Sequence, residues 1–505
     1  MLSPGHNQNE GRGPGDDERV QNFGFVTSTM AAAETATRAT HPSPLQDDTS
    51  SPSTSWLRDE FARDPGYVAY QEELRCLMLN TAQTAAPTRE ATPAAPGGAD
   101  APETHAPGSV AASSSTNKTK DVQSLYRETG DVLAHPHRLQ YLKNYVAKVA
   151  PWLDMFDSSG AFGIQIPILA RSSPALLYAV LALSARQMER KERRKQAFDS
   201  LELYQEAIRL LTPLLQAHDE HIIPICVILC CLEMMSASAS DWRKHLEGCA
   251  ALFDAFGVHG FSGGLLQAVF WCYARMDVCG ALISDGTQGT LVPPRRWLLP
   301  GTDERQARQL FRNTNSVDMH ANYAVYLCAC VCDLIARRTR FVELGEANGC
   351  DADTFSHQWE CLWEDLQAWI ADRPPEMLPI HVVETKHFPQ ILFTHWAAIS
   401  STQLYHTACI LLLDEAPRSQ ELPSGNVASP VWHAKRICGI SLTNPHEGCL
   451  NNAIQPLWVA GKLLSHRSEH ALLVELIHRI EETTGWGTSW RIADLEAAWG
   501  YKVRR

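Results

Sequence analysis

The cysteine and histidine side chains are the groups in this sequence that could bind a metal ion. Cys328, Cys330 and Cys332 follow one another at intervals of two residues. On a helix, Cys328 and Cys332 share a face, whereas Cys330 points about 160° away, so the three thiolates could not converge on one ion. We therefore interpret these cysteines, and those within residues 226–231, as small buried apolar side chains.

A second set of candidate ligands lies towards the C-terminus, where His433, Cys438, His446 and Cys449 fall within 17 residues. Their spacing matches no zinc pattern. Core packing is the favoured interpretation of this set, and a metal site is its alternative. The sequence therefore predicts no metal site and no cofactor.

Motifs of the common enzyme classes are absent from the sequence. A P-loop, a dinucleotide-binding glycine motif, a nucleophile elbow and a zinc-protease helix each need a fixed residue pattern, and none occurs. The adjacent aspartate pairs, Asp16–Asp17 and Asp47–Asp48, precede the helical part of the chain. We predict that the protein is not an enzyme, and an all-α enzyme with an unrecognised pocket is the distant alternative.

One basic run could carry a targeting function. Five cations, Arg190, Lys191, Arg193, Arg194 and Lys195, occur between two apolar helical stretches. A solvated helix end is the first interpretation of such a run, and a nuclear import signal is the second. Contact with DNA is less favoured, because an isolated cluster reaches few phosphates.

The composition of the chain restricts its function further. The chain has 505 residues, with 44 Lys and Arg against 57 Asp and Glu, which gives a formal charge of −13. A chain this acidic is not a general polyanion binder. Its longest apolar runs, within 222–232 and 323–332, fall short of the roughly 20 residues of a membrane span, and no secretory signal is visible. We expect an intracellular protein without membrane association.

Two regions of different composition divide the chain. Residues 1–120 are rich in Ala, Pro, Ser and Thr, and we predict that they are disordered apart from a short helix over 56–80. Over 125–505, apolar residues recur at three- and four-residue steps, and Ser173 and Pro174 supply an N-cap and a first helical residue. Period-two runs of β-branched residues are almost absent. The sequence therefore predicts an all-α fold, with one large multi-helix domain preceded by a long disordered N-terminal region.

Three tryptophans, Trp486, Trp490 and Trp499, crowd the C-terminus. Because Leu495 and Trp499 are one helical turn apart, we predict a last helix that closes the core. A partner-docking surface is the alternative, since tryptophan often anchors protein interfaces.

Several segments, in a fixed order, resemble those of a known family. They are Tyr145–Asp157, Ser173–Leu177, Asp241–Cys249, Val269–Asp277, Gln455–Lys462, Gly485–Trp486 and Trp490–Ile492. Together they resemble the fungal-specific transcription factor regulatory domain, and the resemblance covers roughly residues 130–500.

The resemblance implies an all-α regulatory domain of a fungal nuclear transcription regulator. In that family the domain accompanies an N-terminal zinc binuclear cluster, in which six cysteines hold two zinc ions and present a helix to DNA. This sequence has one cysteine, Cys76, within residues 1–120. Six thiolates cannot come from one residue, so direct DNA binding by this chain is not expected. Either an exon that encodes the DNA-binding module is missing, or the protein regulates transcription without binding DNA itself.

Under this resemblance the expected partners are proteins, either a second chain in a homo- or heterodimer or the transcription machinery. A small-molecule effector is compatible with the same domain. The implied role is control of a secondary-metabolite gene cluster. The alternative function is that of a non-DNA-binding partner or inhibitor of zinc-cluster transcription factors.

Overall fold

Helices dominate the computed structural model of this chain, which confirms the predicted all-α fold. The structure describes residues 60–85, 129–194, 198–217, 222–236, 242–418 and 425–501. The disorder predicted for 1–59 and 86–120 lies outside the described residues, as does Lys195 of the basic run.

The first half of the described chain is a series of helices with short connections. They are α1 (Pro65–Ala85), α2 (Pro136–Asn144), α3 (Ala150–Leu153), α4 (Ile166–Leu169), α5 (Pro174–Lys191), α6 (Asp199–Gln216), α7 (Ile222–Ser236), α8 (Trp242–Phe256) and α9 (Gly264–Ile283). Two π-helical turns, Tyr145–Val149 and Ala161–Gln165, precede α3 and α4.

The second half continues the helical series and contains one short hairpin. Its helices are α10 (Ala307–Asn313), α11 (Val317–Leu344), α12 (Ala352–Ala371), α13 (Trp396–Asp414), α14 (Pro430–Thr443), α15 (Glu447–Asn452), α16 (Ile454–Gly461), α17 (Arg467–Thr484) and α18 (Trp490–Ala498). The strands are β1 (His381–Val383) and β2 (Gln390–Leu392). They pair antiparallel with Val382 opposite Ile391.

The start of α5 shows how local sequence sets a helix boundary. The Ser173 side chain accepts a hydrogen bond from the Leu176 amide at 3.4 Å, and Pro174 occupies the first helical position. The capping oxygen satisfies one of the free amides of the first turn, and proline is already restricted to a helical φ. The helix therefore begins where the sequence predicts.

Three helices supply the centre of the core. Every residue of α7 is buried, as is nearly every residue of α13, and α11 runs beside α13. Helix α11 has 28 residues and is long and apolar enough to cross a membrane by length and composition alone. Of its most apolar window, with a mean hydropathy of 1.4, 83% is buried inside the fold. An apolar helix packed on all sides in this way is typical of a protein core.

Helix α1 packs into the core of the main domain although its sequence lies in the low-complexity region. Tyr67, Leu74 and Met78 are buried where α1 crosses α6 and α8. The Arg75 guanidinium also binds the Glu247 carboxylate of α8, with an N–O distance of 2.8 Å. Residues 65–85 therefore belong to the same helical body as the chain after residue 129.

A buried ion pair joins α5 to its neighbours. Arg186 and Glu189 are each 1% exposed, and their closest side-chain N and O atoms lie 3.6 Å apart. The Glu189 carboxylate accepts from the Ser200 amide at 2.9 Å and from its hydroxyl at 2.6 Å, while Arg186 donates to Ser236 at 2.9 Å. The Arg186 guanidinium also lies 4.0 Å from the centre of the Phe61 ring. Burial nevertheless raises the pKa of Glu189, so the fold depends on these partners to keep the carboxylate charged.

Candidate functional site

The basic run lies at the C-terminal end of α5. The helix ends at Lys191, and Arg193 adopts a φ of 57°, in the left-handed region that commonly ends a helix. The Arg194 amide then donates to the Glu189 carbonyl at 3.0 Å, which satisfies a free carbonyl of the last turn. Cations at this end of a helix are favoured by its dipole.

The structure divides the cations of this run into a docked one and solvent-facing ones. The Arg190 side chain is 16% exposed and its Nε donates to the Gly485 carbonyl at 2.5 Å. Lys191, Arg193 and Arg194 are exposed. Among the described cations of the run, Lys191, Arg193 and Arg194 are therefore the ones that an approaching protein could contact. The sequence did not predict the contact that holds Arg190 against Gly485.

Carboxylates accompany the exposed arginines of the run. Arg193 lies 3.4 Å from Glu482 of α17, and Arg194 lies 2.8 Å from Glu192. These pairs are solvent-accessible, so each contributes little to stability. They do reduce the local positive charge that the sequence alone suggests.

A seam between α5 and the end of α17 surrounds the docked arginine. Gln187 donates to the Thr484 carbonyl at 3.1 Å, beside the contact between Arg190 and Gly485. Gly485 has a φ of 76°, and a Cβ atom there would lie 3.0 Å from the Gln187 carbonyl oxygen. The close approach of the two elements therefore requires glycine at this position.

The C-terminal tryptophans pack inward. Trp486 is 7% exposed and meets Trp152 edge-to-face, with ring centres 6.1 Å apart. Trp499 stacks on His470 at 3.8 Å and donates from Nε1 to the Gly461 carbonyl at 2.8 Å. The last helix, α18, thus closes the core as the sequence predicts, and the apolar faces of these two tryptophans are occupied within the chain.

The candidate metal ligands are dispersed by the fold. Cys328 and Cys332 are buried on one side of α11, and Cys330 lies on another side next to Tyr326. His446 and Cys449 approach each other, with 3.5 Å between Nδ1 and Sγ. Within the described part of the chain, no three His, Cys, Asp or Glu side chains form a group that could hold a metal ion.

His433 has a partner that the sequence did not indicate. Its Nδ1 lies 2.7 Å from Nδ1 of His406, and its Nε2 lies 2.8 Å from the Val427 carbonyl. Because a carbonyl only accepts, His433 donates from Nε2 and accepts at Nδ1 from His406. Burial lowers the pKa of His433 to about 4 and holds that of His406 well below its usual value, so both rings are neutral near pH 7. The pair ties α13 to α14, and a separation of 27 residues gave no local signal for it.

The family described as the fungal-specific transcription factor domain matches residues 140–499. The chain belongs to this family. The resemblance drawn from the sequence segments is thereby confirmed. The matched region begins within α2 and ends just after α18. It therefore contains both the basic run and the seam between α5 and α17. Helix α1 precedes the match and still packs into the same core.

The chain is similar to a curated protein, the transcription activator AMTR1 of Alternaria alternata. The two chains are 24% identical over 346 residues, which cover 55% of this chain and 44% of the relative. The chain therefore matches less than half the length of that protein. No solved structure matches this chain.

Proposed function

We propose that this protein is a nuclear transcription regulator that acts through its helical domain. The family match over residues 140–499 carries the proposal. The similarity to a protein named as a transcription activator supports activation rather than repression. The genes under its control are proposed to form a secondary-metabolite cluster, as the family resemblance implies.

Contact with other proteins is the proposed mode of action. The formal charge of −13 opposes close approach to the phosphate backbone of DNA, and the arginines at the end of α5 stand beside carboxylates or a carbonyl. These features favour a domain that binds a second chain or the transcription machinery. A small-molecule signal could then act on the same domain.

A tethering assay tests the regulatory proposal directly. The full chain is fused to a heterologous DNA-binding domain and expressed with a reporter that carries its operator. We expect reporter expression severalfold above that obtained with the DNA-binding domain alone, at equal protein levels by immunoblot. A reporter that stays at the control level would overturn activation. If the untethered chain then bound a zinc-cluster factor and lowered the expression that this factor drives, the inhibitor function would replace it.

The exposed cations Lys191, Arg193 and Arg194, together with Lys195, which lies outside the described residues, are proposed to direct nuclear import. Replacement of Lys191, Arg193, Arg194 and Lys195 by alanine is expected to shift a fluorescently tagged protein from the nucleus to the cytosol, measured as the ratio of the two signals. Arg190 is left unchanged because its contact with Gly485 is structural.

A matched control removes exposed cations elsewhere on the domain. Arg295 and Arg296 are neighbouring exposed arginines in the short helix Pro294–Trp297. Their replacement by alanine should leave the distribution unchanged. Nuclear retention of the α5 variant at the wild-type level would reject the import function of the run.

A further inference from the structure

A small cavity lies where α3, α7, α9, α15 and α16 meet. Its volume is about 50 Å³, and most of its wall is apolar, including Leu153, Met234 and Ile454. An engineered cavity of about 150 Å³ holds benzene, and one water occupies about 30 Å³ in the liquid. The space therefore suits a molecule of a few heavy atoms.

Three buried polar atoms on the wall of this cavity lack a hydrogen-bond partner. They are the indole Nε1 of Trp152, the amide Nε2 of Gln455 and the amide Oδ1 of Asn451. Trp152 and Gln455 are 4% and 1% exposed, so water does not cover them freely. A buried polar group without a partner loses its hydrogen bonds to water and gains none in return. Two donors and one acceptor without partners therefore line the same cavity.

Arg275 adds a buried positive charge to the same wall. Its Nη2 donates to the Leu153 carbonyl at 2.6 Å, and its guanidinium lies 5.2 Å from the centre of the Phe156 ring. Among the residues that the structure describes, no carboxylate lies within 4.0 Å of this guanidinium. The nearby Asp154 carboxylate instead accepts from the backbone amides of Phe162 and Gly163, each at 2.7 Å.

The charge of Arg275 is thus only partly compensated inside the protein. Burial lowers the pKa of this guanidinium, and backbone carbonyls offer dipoles but no full negative charge. A buried cation without an ion-pair partner is unusual, because removing a charge from water is expensive unless it is paired. An anion in the cavity would supply the missing charge.

We propose that this cavity binds a small organic carboxylate with a short apolar body. Carboxylate oxygens can accept hydrogen bonds from Trp152 and Gln455 and complement the charge of Arg275, and such charge-assisted bonds are stronger than neutral ones. The apolar body would be buried among the side chains of Leu153, Met234 and Ile454. Binding of this kind is a property of the domain and does not depend on the proposed role in transcription.

Propionate is the probe for this site, and its neutral analogue propionamide is the control ligand. Purified full-length protein is titrated with each and followed by isothermal titration calorimetry and by thermal unfolding, against sodium chloride at equal ionic strength. We expect saturable binding of propionate with a rise in Tm, and no comparable effect of propionamide. Absence of saturable propionate binding, or equal binding of both, would overturn the carboxylate site.

Gln455→Glu is the variant that tests the location of the site. The Oε1 atom of Gln455 accepts a hydrogen bond from Arg491 at 2.6 Å. A glutamate keeps this acceptor but puts an anionic oxygen in place of the unpartnered Nε2 donor. Propionate binding should weaken by at least about tenfold, the effect of losing one charge-assisted hydrogen bond. Gln367→Glu makes the same change at another unpartnered amide, outside the cavity, and should bind as wild type does.

A second variant keeps the test decisive if Gln455→Glu does not fold. Trp152→Phe removes the indole donor and keeps an aromatic ring in the wall of the cavity. It should also weaken propionate binding while the protein retains its helical circular dichroism spectrum. Wild-type affinity in a folded variant at either position would show that propionate binds elsewhere and would overturn the assignment.

Discussion

Replacement of Arg186 by methionine is expected to lower the free energy of unfolding by about 3–5 kcal/mol. The change leaves the Glu189 carboxylate, which is 1% exposed, without its cation. Ser200 still donates two hydrogen bonds to that carboxylate, but it supplies no full positive charge. Urea denaturation of the purified protein, followed by tryptophan fluorescence, measures the difference.

The double variant Arg186→Met with Glu189→Gln separates lost charge pairing from lost packing. Glutamine is close to glutamate in shape and can still accept a hydrogen bond from Ser200, but it carries no charge to leave unpaired. We expect the double variant to recover a large part of the stability lost by the single one. Equal instability of both proteins would show that the contacts of Arg186 with Phe61 and Ser236, rather than the charge, dominate.

Replacement of Gly439 by alanine is expected to destabilise the domain by about 3 kcal/mol. Gly439 lies inside α14, where the helix passes directly over the backbone of Pro389, the residue immediately before β2. An added Cβ atom would overlap the Pro389 carbonyl oxygen. Because a backbone atom cannot move aside as a side chain can, the helix and the hairpin would have to separate.

Gly280→Ala is the matched control for that prediction. This glycine also lies inside a helix, α9, and the nearest atom to an added Cβ would be a Leu246 methyl at 3.4 Å, an ordinary van der Waals distance. Alanine is favoured over glycine in a helix by about 0.8–1.0 kcal/mol, so this variant should be as stable as wild type or more so. A destabilised Gly280→Ala protein with a stable Gly439→Ala protein would contradict the packing argument.

The parts of the fold that local sequence determines could be predicted. Three- and four-residue spacing of apolar side chains marks the helices, and Ser173 with Pro174 marks the start of α5. The uniformly apolar character of α7 indicates its burial. Segments spread over residues 145–492 carry enough of the family pattern to be recognised without a structure.

Features that depend on distant contacts could not be predicted from the sequence. A short helix over 56–80 was predicted, but not that helix α1 packs against α6 and α8, because residues rich in Ala, Pro and Ser separate it from the domain. The strands β1 and β2 have three residues each, which is too short for a period of two to be visible. They are held by Asn444, the residue that follows α14, whose side-chain amide donates to the Ile391 carbonyl at 2.7 Å.

The candidate sites show the same limit. The basic run was visible as composition, but the sequence could not show that Arg190 docks on Gly485 while its neighbours face solvent. The cavity was invisible, because Trp152, Arg275 and Gln455 come from three separate helices. Whether a cation is buried, or an amide lacks a hydrogen-bond partner, depends on the residues packed around it in the fold. The spacing of residues along the chain does not give this information.

The seam between α5 and α17 has a consequence for how the protein is made. The acceptor of Arg190 lies 295 residues further along the chain. At the usual 5–20 residues per second of protein synthesis, roughly 15–60 s pass on the ribosome before that acceptor exists. Throughout this interval Gln187 and Arg190 lack the carbonyls that they contact in the folded protein, and this surface of α5 is open to chaperones. A nonsense mutation upstream of Thr484 would remove these carbonyls permanently.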